Sequence, residues 1–396
     1  MSVEALVDHF IRRSMPSWLS SGFDNSCGQF VEALRFDGEP LSGAVRVRTI
    51  ARQIYVYSHA FTLGLTTIDA LAKTEAAFDH LWRHGWIEGE RGGFASSIHI
   101  KTGRVVDDRR QLYDHTCVLL ALAYLSKVTG SGRYREHIDE ITKTIERDLW
   151  APFGGWADDS QGSLPRQQNP HMHYFEASLA MWETGHGNQH IARAGEIFGL
   201  FKSQFWDHQL KTSREFFGPA WEASPTYRSE RLDPGHMAEW AWLLSRYEGM
   251  TNTDLSYYRA GLLGAALGFG RSRSHPFLAD EVLPDGTPLI DRRRLWPQIE
   301  LLKAIVASKG TADDQSKLAD GLAASVMTAY LENAPVGLWF DAFDLSGKLS
   351  AQSIPASSLY HLWTMAAGIM SASTHRCVGI LDARAAARNS SGLHNK

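Results

Sequence analysis

Two kinds of helical segment alternate along this sequence. Residues 112–128 are apolar nearly all the way round, whereas residues 134–149 carry isoleucines on one stripe and charged residues elsewhere. A helix that is apolar on every side is buried, and a helix with a single apolar stripe keeps its other face in water. The pattern therefore predicts an inner helix followed by an outer helix.

The same pair of helices recurs along the chain. Six inner helices are predicted, and the first polar or aromatic residue of each lies 60 to 65 residues from the next. A helix pair cannot bury both of its faces alone, so repeated pairs must stack on one another. The predicted inner helices are 43–64, 112–128, 173–182, 237–247, 295–308 and 360–371, and the marked residues are Arg52, Tyr113, His173, His236, Trp296 and His361.

Inner helices this apolar favour closure into a ring, because an open superhelix would leave its concave face in water. We therefore predict an all-α fold, an (α/α)6 barrel with short β or turn segments in its loops. Parallel inner helices begin at one rim, so the six marked residues, with Glu176, Glu239 and Glu300, should point into one cavity. Residues 1–381 are predicted to form a single catalytic domain, and residues 382–396 a flexible tail.

Composition narrows the classes of function. The chain has 396 residues, 44% hydrophobic and 21% charged, with a net charge of −4, as expected for a soluble globular protein. Without a basic stripe, neither a nucleic acid nor a membrane is an expected partner. Residues 1–24 contain no uninterrupted apolar run and no later segment is long enough to span a bilayer, which predicts a cytoplasmic protein. The oligomeric state stays open, with a homodimer as one option.

The cysteines indicate neither a disulfide framework nor a zinc site. Cys27, Cys117 and Cys377 are an odd, scattered set without the paired spacing of structural zinc ligands. We expect them to be reduced thiols.

Two histidine motifs carry the strongest chemical signal. In residues 233–240 a Pro-Gly turn runs into a helix that begins with His236 and has Glu239 one turn further on; residues 169–176 repeat this with His173 and Glu176. Residues three apart share a helix face. An imidazole beside a carboxylate is a suitable proton-transfer unit near neutral pH.

Other interpretations of these residues remain open at this point. A histidine at a helix start can be a cap or a core residue, and His-x-x-Glu on two helices can bind two iron ions in a four-helix bundle, although the 60-residue period opposes that. Arg52 is either a buried ion-pair member or an anchor for an oxygen-rich intermediate. The glutamates could instead serve a glycoside hydrolase, which works with two carboxylates.

Five motifs together resemble the N-acylglucosamine 2-epimerase superfamily, which includes mannose isomerases and cellobiose 2-epimerases. They are the helix around Arg52, the Asn-Pro-His-Met-His segment with Glu176, Pro-Gly-His with Glu239, Leu-Trp-Pro-Gln with Glu300, and Tyr-His at residues 360–361. The resemblance covers residues 52–363. It implies an (α/α)6 barrel and acid–base chemistry on a reducing sugar, with no metal and no cofactor.

The resemblance also implies roles for individual residues. His236 and His361 would transfer protons, His173 and Arg52 would hold sugar oxygens, and Glu239 would orient His236. The family also has an arginine just upstream of the Pro-Gly-His motif. Arg228 is assigned that role here, and Arg231 is the other candidate. The expected pocket lining is completed by Tyr113, Asn169, Glu176, Trp296 and Glu300.

Proton transfer beside a sugar carbonyl passes through an enediolate, which needs a base, an acid and a donor near the developing oxyanion. The extra imidazole of His173 suits a free hydroxyl at the second sugar carbon better than an acetamido group. No Gly-rich phosphate loop opens an inner helix. We therefore predict mannose–fructose isomerisation of a free monosaccharide, with 2-epimerisation as the alternative and glycoside hydrolysis as the third.

Overall fold

The protein is the predicted (α/α)6 barrel. The computed structural model describes residues 2–90, 92–272, 275–308 and 312–371. Three π-helical turns continue helices, and one 3₁₀ turn lies in a loop. The helices are α1 (Val3–His9), α2 (Met15–Ser21), α3 (Val47–Thr62), α4 (Ile68–Gly85), α5 (Leu112–Thr129), α6 (Gly132–Asp148), α7 (Asn169–Glu183), α8 (Asn188–Leu200), α9 (Pro234–Thr251), α10 (Ser256–Gly270), α11 (Leu295–Ala307), α12 (Ala312–Val326) and α13 (357–371); the π turns are Phe10–Ser14, Phe201–Phe205 and Met327–Glu332, and the 3₁₀ turn is Pro225–Tyr227.

Burial separates the inner helices from the outer ones as predicted. On inner helix α5, residues 114–126 are all buried, whereas outer helix α6 buries Ile138, Ile141 and Ile145 on one face. The inner helices are α3, α5, α7, α9, α11 and α13. Each has neighbours on both sides, so a polar residue on one of them must face the barrel axis or find a partner.

The amino-terminal helices close the ring. Inner helix α13 returns to α3, where Trp363 Nε1 donates a hydrogen bond to His59 Nδ1 at 3.2 Å. Val3 N donates to Asp320 Oδ1 of α12 at 2.9 Å, and Trp18 Nε1 of α2 donates to Gln53 Oε1 of α3 at 2.7 Å. Helices α1 and α2 therefore fill the position of the sixth outer helix, a partner that the sequence pattern had not identified for α13.

The strands are short and lie in the loops, where they pair antiparallel. The predicted first inner helix was wrong at its start, because residues 44–46 form a strand in which buried Val45 lies opposite buried Ile98. The strands are β1 (Phe23–Asp24), β2 (Gln29–Phe30), β3 (Ala33–Leu34), β4 (Ala44–Arg46), β5 (Trp86–Ile87), β6 (Gly93–Phe94), β7 (Ser97–His99), β8 (Val105–Asp107), β9 (Arg166–Gln167), β10 (Trp206–Asp207), β11 (Thr212–Ser213), β12 (Phe216–Phe217), β13 (Arg293–Arg294), β14 (Ala342–Phe343) and β15 (Ile354–Pro355). They pair as β1–β2, β3–β15, β4–β7–β8, β5–β6, β9–β12, β10–β11 and β13–β14.

Two loops are fixed to inner helices by buried histidines. Phe94 N donates to His115 Nε2 at 3.0 Å, and Trp156 N donates to His171 Nε2 at 3.1 Å. Burial lowers the pKa of His115 to about 4 and that of His171 to about 3, so both rings are neutral acceptors. Both histidines therefore have a structural role.

Two of the sequence predictions concern residues near the carboxyl terminus that the structure does not describe. The predicted tail, 382–396, and Cys377 lie outside the described residues. Within the described ranges, none of the helices combines the length and the hydropathy that crossing a bilayer would need.

Candidate active site

The amino-terminal ends of the inner helices surround a cavity of about 250 Å³. This is the rim at which the sequence pattern predicted a cluster of polar residues. Most of the predicted site residues line the cavity, whereas Glu176, Arg228 and Glu300 are not part of its wall. The predicted residues in the wall are Arg52, Tyr113, Asn169, His173, His236, Glu239, Trp296 and His361.

His236 lies in the first turn of α9 and is held by two carboxylates. Asp233 caps the helix, and its Oδ1 accepts hydrogen bonds from the amides of Gly235 at 2.9 Å and His236 at 3.2 Å. His236 Nδ1 lies 2.8 Å from Glu215 Oε2. Burial alone would lower the pKa of His236, but Asp233 and Glu215 outweigh it and raise the pKa to about 10. His236 is therefore an imidazolium at neutral pH.

The carboxylate that orients His236 is not the one expected. Glu239 was expected in this role, but the hydrogen-bond partner of His236 is Glu215, which lies in the loop between β11 and β12. Glu239 points instead to the barrel centre, where its carboxylate oxygen lies within 4.8 Å of ligand atoms of Glu300 and His361. Burial raises the pKa of Glu239 well above its usual value, and Glu300 raises it further. Both effects favour the protonated, neutral form of its carboxyl group.

His361 has the opposite charge state. Its Nδ1 lies 2.7 Å from Glu300 Oε1. Burial lowers the pKa of His361 well below its usual value, and the charges of Arg52 and Lys303 lower it further. Because a carboxylate can only accept, the neutral ring carries its proton on Nδ1 and keeps a lone pair on Nε2.

Arg52 and His173 form a buried polar pair in the wall. Arg52 NH2 donates to Tyr113 OH at 2.7 Å and lies 3.2 Å from His173 Nε2, while His173 Nδ1 lies 3.1 Å from Glu176 Oε2. Burial lowers the pKa of His173 to about 4, so the neutral ring can accept from Arg52. Burial opposes ionisation of Glu176, but hydrogen bonds from His173 and Tyr360 lower its pKa to about 2.

Trp296 lies between the two proton-transfer candidates. Its ring centroid is 5.2 Å from the ring of His236 and 5.2 Å from that of His361. The indole packs directly on the turn before His236, where a Cβ added to Gly235 would lie 2.5 Å from it. Gly235 therefore allows the close approach that keeps the three rings together.

Several buried polar atoms in this region have no partner. Among the described residues, Arg52 Nε, Asn169 Oδ1 and Glu239 Oε1 are such atoms, and all three side chains line the cavity. An unpaired buried polar group costs about 1–3 kcal/mol. A ligand with several hydroxyl groups would satisfy them.

The same residues include two sets with the geometry of metal ligands. One is His173, Glu176 and Glu239, and the other is Glu239, Glu300 and His361; in each, the ligand atoms lie within 4.8 Å of one another. In both sets the histidine already shares its Nδ1 with a glutamate. A divalent ion would have to compete with those hydrogen bonds.

The expected arginine near the Pro-Gly-His turn does not reach the cavity wall. Arg228 follows the 3₁₀ turn with a positive φ of 61°, and its guanidinium lies 5.7 Å from the centroid of the Phe216 ring. Arg231 forms an ion pair with Glu281. The wall contains other arginines, at positions 46, 48 and 294.

Sequence reasoning missed these and other members of the site. Six of the missed residues lie at or just before the start of an inner helix, so extending the same period by a few residues would have found them. Glu215 lies in the loop between β11 and β12 and not on an inner helix, so the spacing of the inner helices could not identify it. The six are Arg46, Arg48, Thr49, Asp233, Arg294 and Ser357.

Comparisons with known proteins show what this chain is similar to. A family model described as N-acylglucosamine 2-epimerase (GlcNAc 2-epimerase) matches residues 28–365. The chain is 32% identical, over 88% of its length and 92% of the relative, to a protein of Rhizobium meliloti (strain 1021) named mannose-6-phosphate isomerase. It is 28% identical to the D-mannose isomerase of Thermobifida fusca, over 57% of this chain and 60% of that protein. A crystal structure of a D-mannose isomerase superposes with a TM-score of 0.82 over 93% of this chain and 98% of that one; at 18% identity this likeness shows the shared fold alone.

Proposed function

Because this chain belongs to the N-acylglucosamine 2-epimerase family, and is therefore a sugar isomerase or epimerase, we propose that it interconverts free mannose and fructose. The observation that carries the proposal is the pair of histidines in opposite charge states, on either side of Trp296 in one polar cavity. A neutral imidazole and an imidazolium are the base and the acid that an enediolate mechanism needs.

In this mechanism His361 Nε2 removes the proton from C2 of the open-chain aldose. The electrons of the C–H bond form the C1–C2 double bond, and the C1 oxygen takes a proton from His236. His236, which is now neutral, then takes the O2 proton, and protonated His361 returns its proton to C1, which gives the ketose and restores both rings. Arg52 stabilises the oxygen on which negative charge develops, because its guanidinium already lies in the wall.

The substrate argument rests on His173 and the unpaired atoms near it. Arg52 Nε and Asn169 Oδ1 have no partner and can bond hydroxyl groups of the sugar. The His173 ring, which contacts Arg52 and Glu176, lies beside them in the wall. An imidazole beside the second carbon suits a hydroxyl better than a bulky acetamido group. If His236 instead delivered its proton to C2 from the face opposite His361, C2 would be inverted, so 2-epimerisation of mannose to glucose is the alternative outcome.

A second candidate substrate is mannose 6-phosphate. The relative with 32% identity carries that name, and Arg46, Arg48 and Arg294 line the cavity. All three arginines form ion pairs, with Glu32, Asp114 and Asp280 respectively, which is why we prefer the neutral sugar.

The decisive experiment follows the proton. Mannose, N-acetylmannosamine and mannose 6-phosphate are incubated separately with the enzyme in D₂O, and the products are identified by NMR. We expect fructose from free mannose. Glucose labelled at C2 without any ketose would overturn the isomerase assignment in favour of the epimerase. Turnover of N-acetylmannosamine alone would overturn the argument from His173, and turnover of the phosphate ester alone would establish the second candidate.

Three further proposals accompany this function. We propose that residues 1–381 act as one catalytic domain, that the enzyme works in the cytoplasm, and that two copies form a homodimer. Light scattering behind size-exclusion chromatography tests the assembly. Subcellular fractionation tests the location.

A further inference from the structure

A lysine is buried at the centre of the barrel, below the candidate active site. The Lys303 side chain is 1% exposed, and its Nζ lies 2.8 Å from Glu300 Oε1 and 3.0 Å from Thr364 Oγ1. Its Nζ also lies 3.6 Å from the centroid of the Trp242 ring. Lysine is almost never fully buried unless it is paired, so this position needs an explanation.

Glu300 connects this lysine to His361. The same Oε1 atom that contacts Lys303 Nζ accepts the hydrogen bond from His361 Nδ1. Lys303 does not line the catalytic cavity, whereas His361 does. The lysine therefore cannot contact the substrate, but it sets the charge of the group that holds the histidine.

Three buried glutamates, Glu176, Glu239 and Glu300, lie close together at the barrel centre. The positive charge of Lys303 acts to lower the pKa of each of them, so it offsets the repulsion between their carboxylates. Burial raises the pKa of Glu300, and Lys303 acts against that rise. The titratable and charged groups that face the chain are Arg52 on α3, Tyr113 on α5, His173 and Glu176 on α7, Glu239 on α9, and Tyr360 and His361 on α13.

We propose that Lys303 is a positioning residue that keeps Glu300 ionised and thereby fixes the proton of His361 on Nδ1, leaving Nε2 free to act as the base. A neutral Glu300 carboxyl would donate its own proton to Nδ1 and drive the imidazole proton to Nε2. That tautomer has no lone pair for the substrate. The kinetic consequence rests on the proposed function, whereas the tautomer itself does not.

The chain offers a matched control. Lys127 lines the same 630 Å³ cavity as Lys303, at the carboxyl ends of the inner helices, but it is exposed and is not bonded to Glu300. Methionine has a similar length to lysine and lacks its charge. Lys303→Met and Lys127→Met each remove one positive charge beside this cavity, but only Lys303→Met removes the charge that contacts Glu300.

For Lys303→Met we expect kcat to fall at least about tenfold, with KM within about twofold of wild type. The acidic limb of the pH–rate profile should move up by about one pH unit or more, because Glu300 and His361 then take protons more readily. Lys127→Met should match wild type. A Lys303→Met enzyme with wild-type kcat and an unmoved limb overturns the proposal.

A double variant separates positioning from packing. In Glu300→Gln the carboxylate whose charge Lys303 maintains is absent. Adding Lys303→Met to Glu300→Gln should then cost less than about twofold further in kcat. If the two losses multiply, Lys303 acts independently of Glu300 and the proposal fails.

The tautomer of His361 can be measured by NMR, without an activity assay and without a lysine variant. In wild-type protein labelled with ¹⁵N-histidine, the His361 signals are identified by their loss in His361→Asn. We expect Nδ1 to be the protonated nitrogen between pH 6 and 8. An Nε2-protonated ring in wild type overturns the assignment, whatever sugar the enzyme turns over.

Discussion

At the scale of single residues, the two candidate catalytic histidines differ because their carboxylates are balanced differently. Two carboxylates, Glu215 and Asp233, face His236. His361 contacts Glu300, whose charge is shared with Lys303, and the charges of Arg52 and Lys303 act against its protonation. One ring is therefore charged and the other neutral at pH 7, although the residue type is the same.

Removing either ring should remove the reaction. We expect His236→Ala and His361→Ala each to lower kcat by about 10²–10⁴-fold, since each loses one positioned proton-transfer group. His208→Ala, on the exposed surface, is the control. More than about a tenth of wild-type kcat in either variant, with an unchanged circular dichroism spectrum, would exclude that histidine from catalysis.

The charge of His236 should depend on Glu215. Glu215→Gln removes a hydrogen bond and a negative charge, so the raised pKa of His236 should fall from about 10, and the basic limb of the pH–rate profile should move to lower pH. Glu239→Gln should move that limb less, because Glu239 is not the hydrogen-bond partner of His236 and burial favours the neutral form of its carboxyl group. If only Glu239→Gln moves the limb, the sequence-based partner is the correct one.

The clustered carboxylates allow a direct test of metal dependence. Mannose isomerisation should survive dialysis against EDTA, because the proposed acid, base and oxyanion donor are all side chains. The control is a chelated sample to which Mn²⁺, Co²⁺ or Zn²⁺ is returned. Activity that disappears with EDTA and returns with one of these ions would assign the glutamate–histidine sets as ligands.

At the scale of elements, the turn before α9 sets the position of Trp296. Asp233 caps the helix and Gly235 leaves room for the indole. Only a residue without a Cβ fits there, because the nearest indole atom would be 2.5 Å from an added carbon.

We therefore expect Gly235→Ala to push Trp296 away from the histidines and to lower kcat/KM by about 10-fold or more through misplacement. Gly249→Ala, on the same helix with nothing within 4 Å of its added Cβ, should keep full activity. Equal activity of the two variants would show that the contact with Trp296 is unimportant. Steady-state kinetics with circular dichroism provides the comparison.

The elements also show how far the sequence could predict this protein. Periodicity located the inner helices and most of the cavity wall, because burial on all sides leaves a clear signal in the residues themselves. The partner of α13 was missed because it lies at the other end of the chain. Glu215 was missed because a loop residue belongs to no period, and the strand at 44–46 because it runs straight into α3.

At the scale of the whole molecule, the ring depends on contacts between its two ends. Trp18 of α2 is fully buried, stacks on Trp339 with 5.0 Å between ring centroids, and donates to Gln53 of α3. It joins the start of the chain to the first inner helix and to the segment that precedes the last one.

We expect Trp18→Ala to lower the free energy of unfolding by about 3–5 kcal/mol, as large-to-small changes in a core do. Trp150→Ala, at a side chain that is 62% exposed, should change it by less than about 0.5 kcal/mol. Urea unfolding followed by circular dichroism measures both. A small effect at Trp18 would mean that the ring holds together without its amino-terminal helices.

The position of the central Glu300–Lys303 pair also determines how a sugar can enter and leave the barrel. It lies between the catalytic cavity and the larger cavity at the opposite end, so the barrel resembles a cup and not a tube. In the proposed reaction the product must then leave by the mouth through which the substrate enters, and each departing sugar delays the next arrival. No second enzyme docked at the far end could receive the sugar through the barrel.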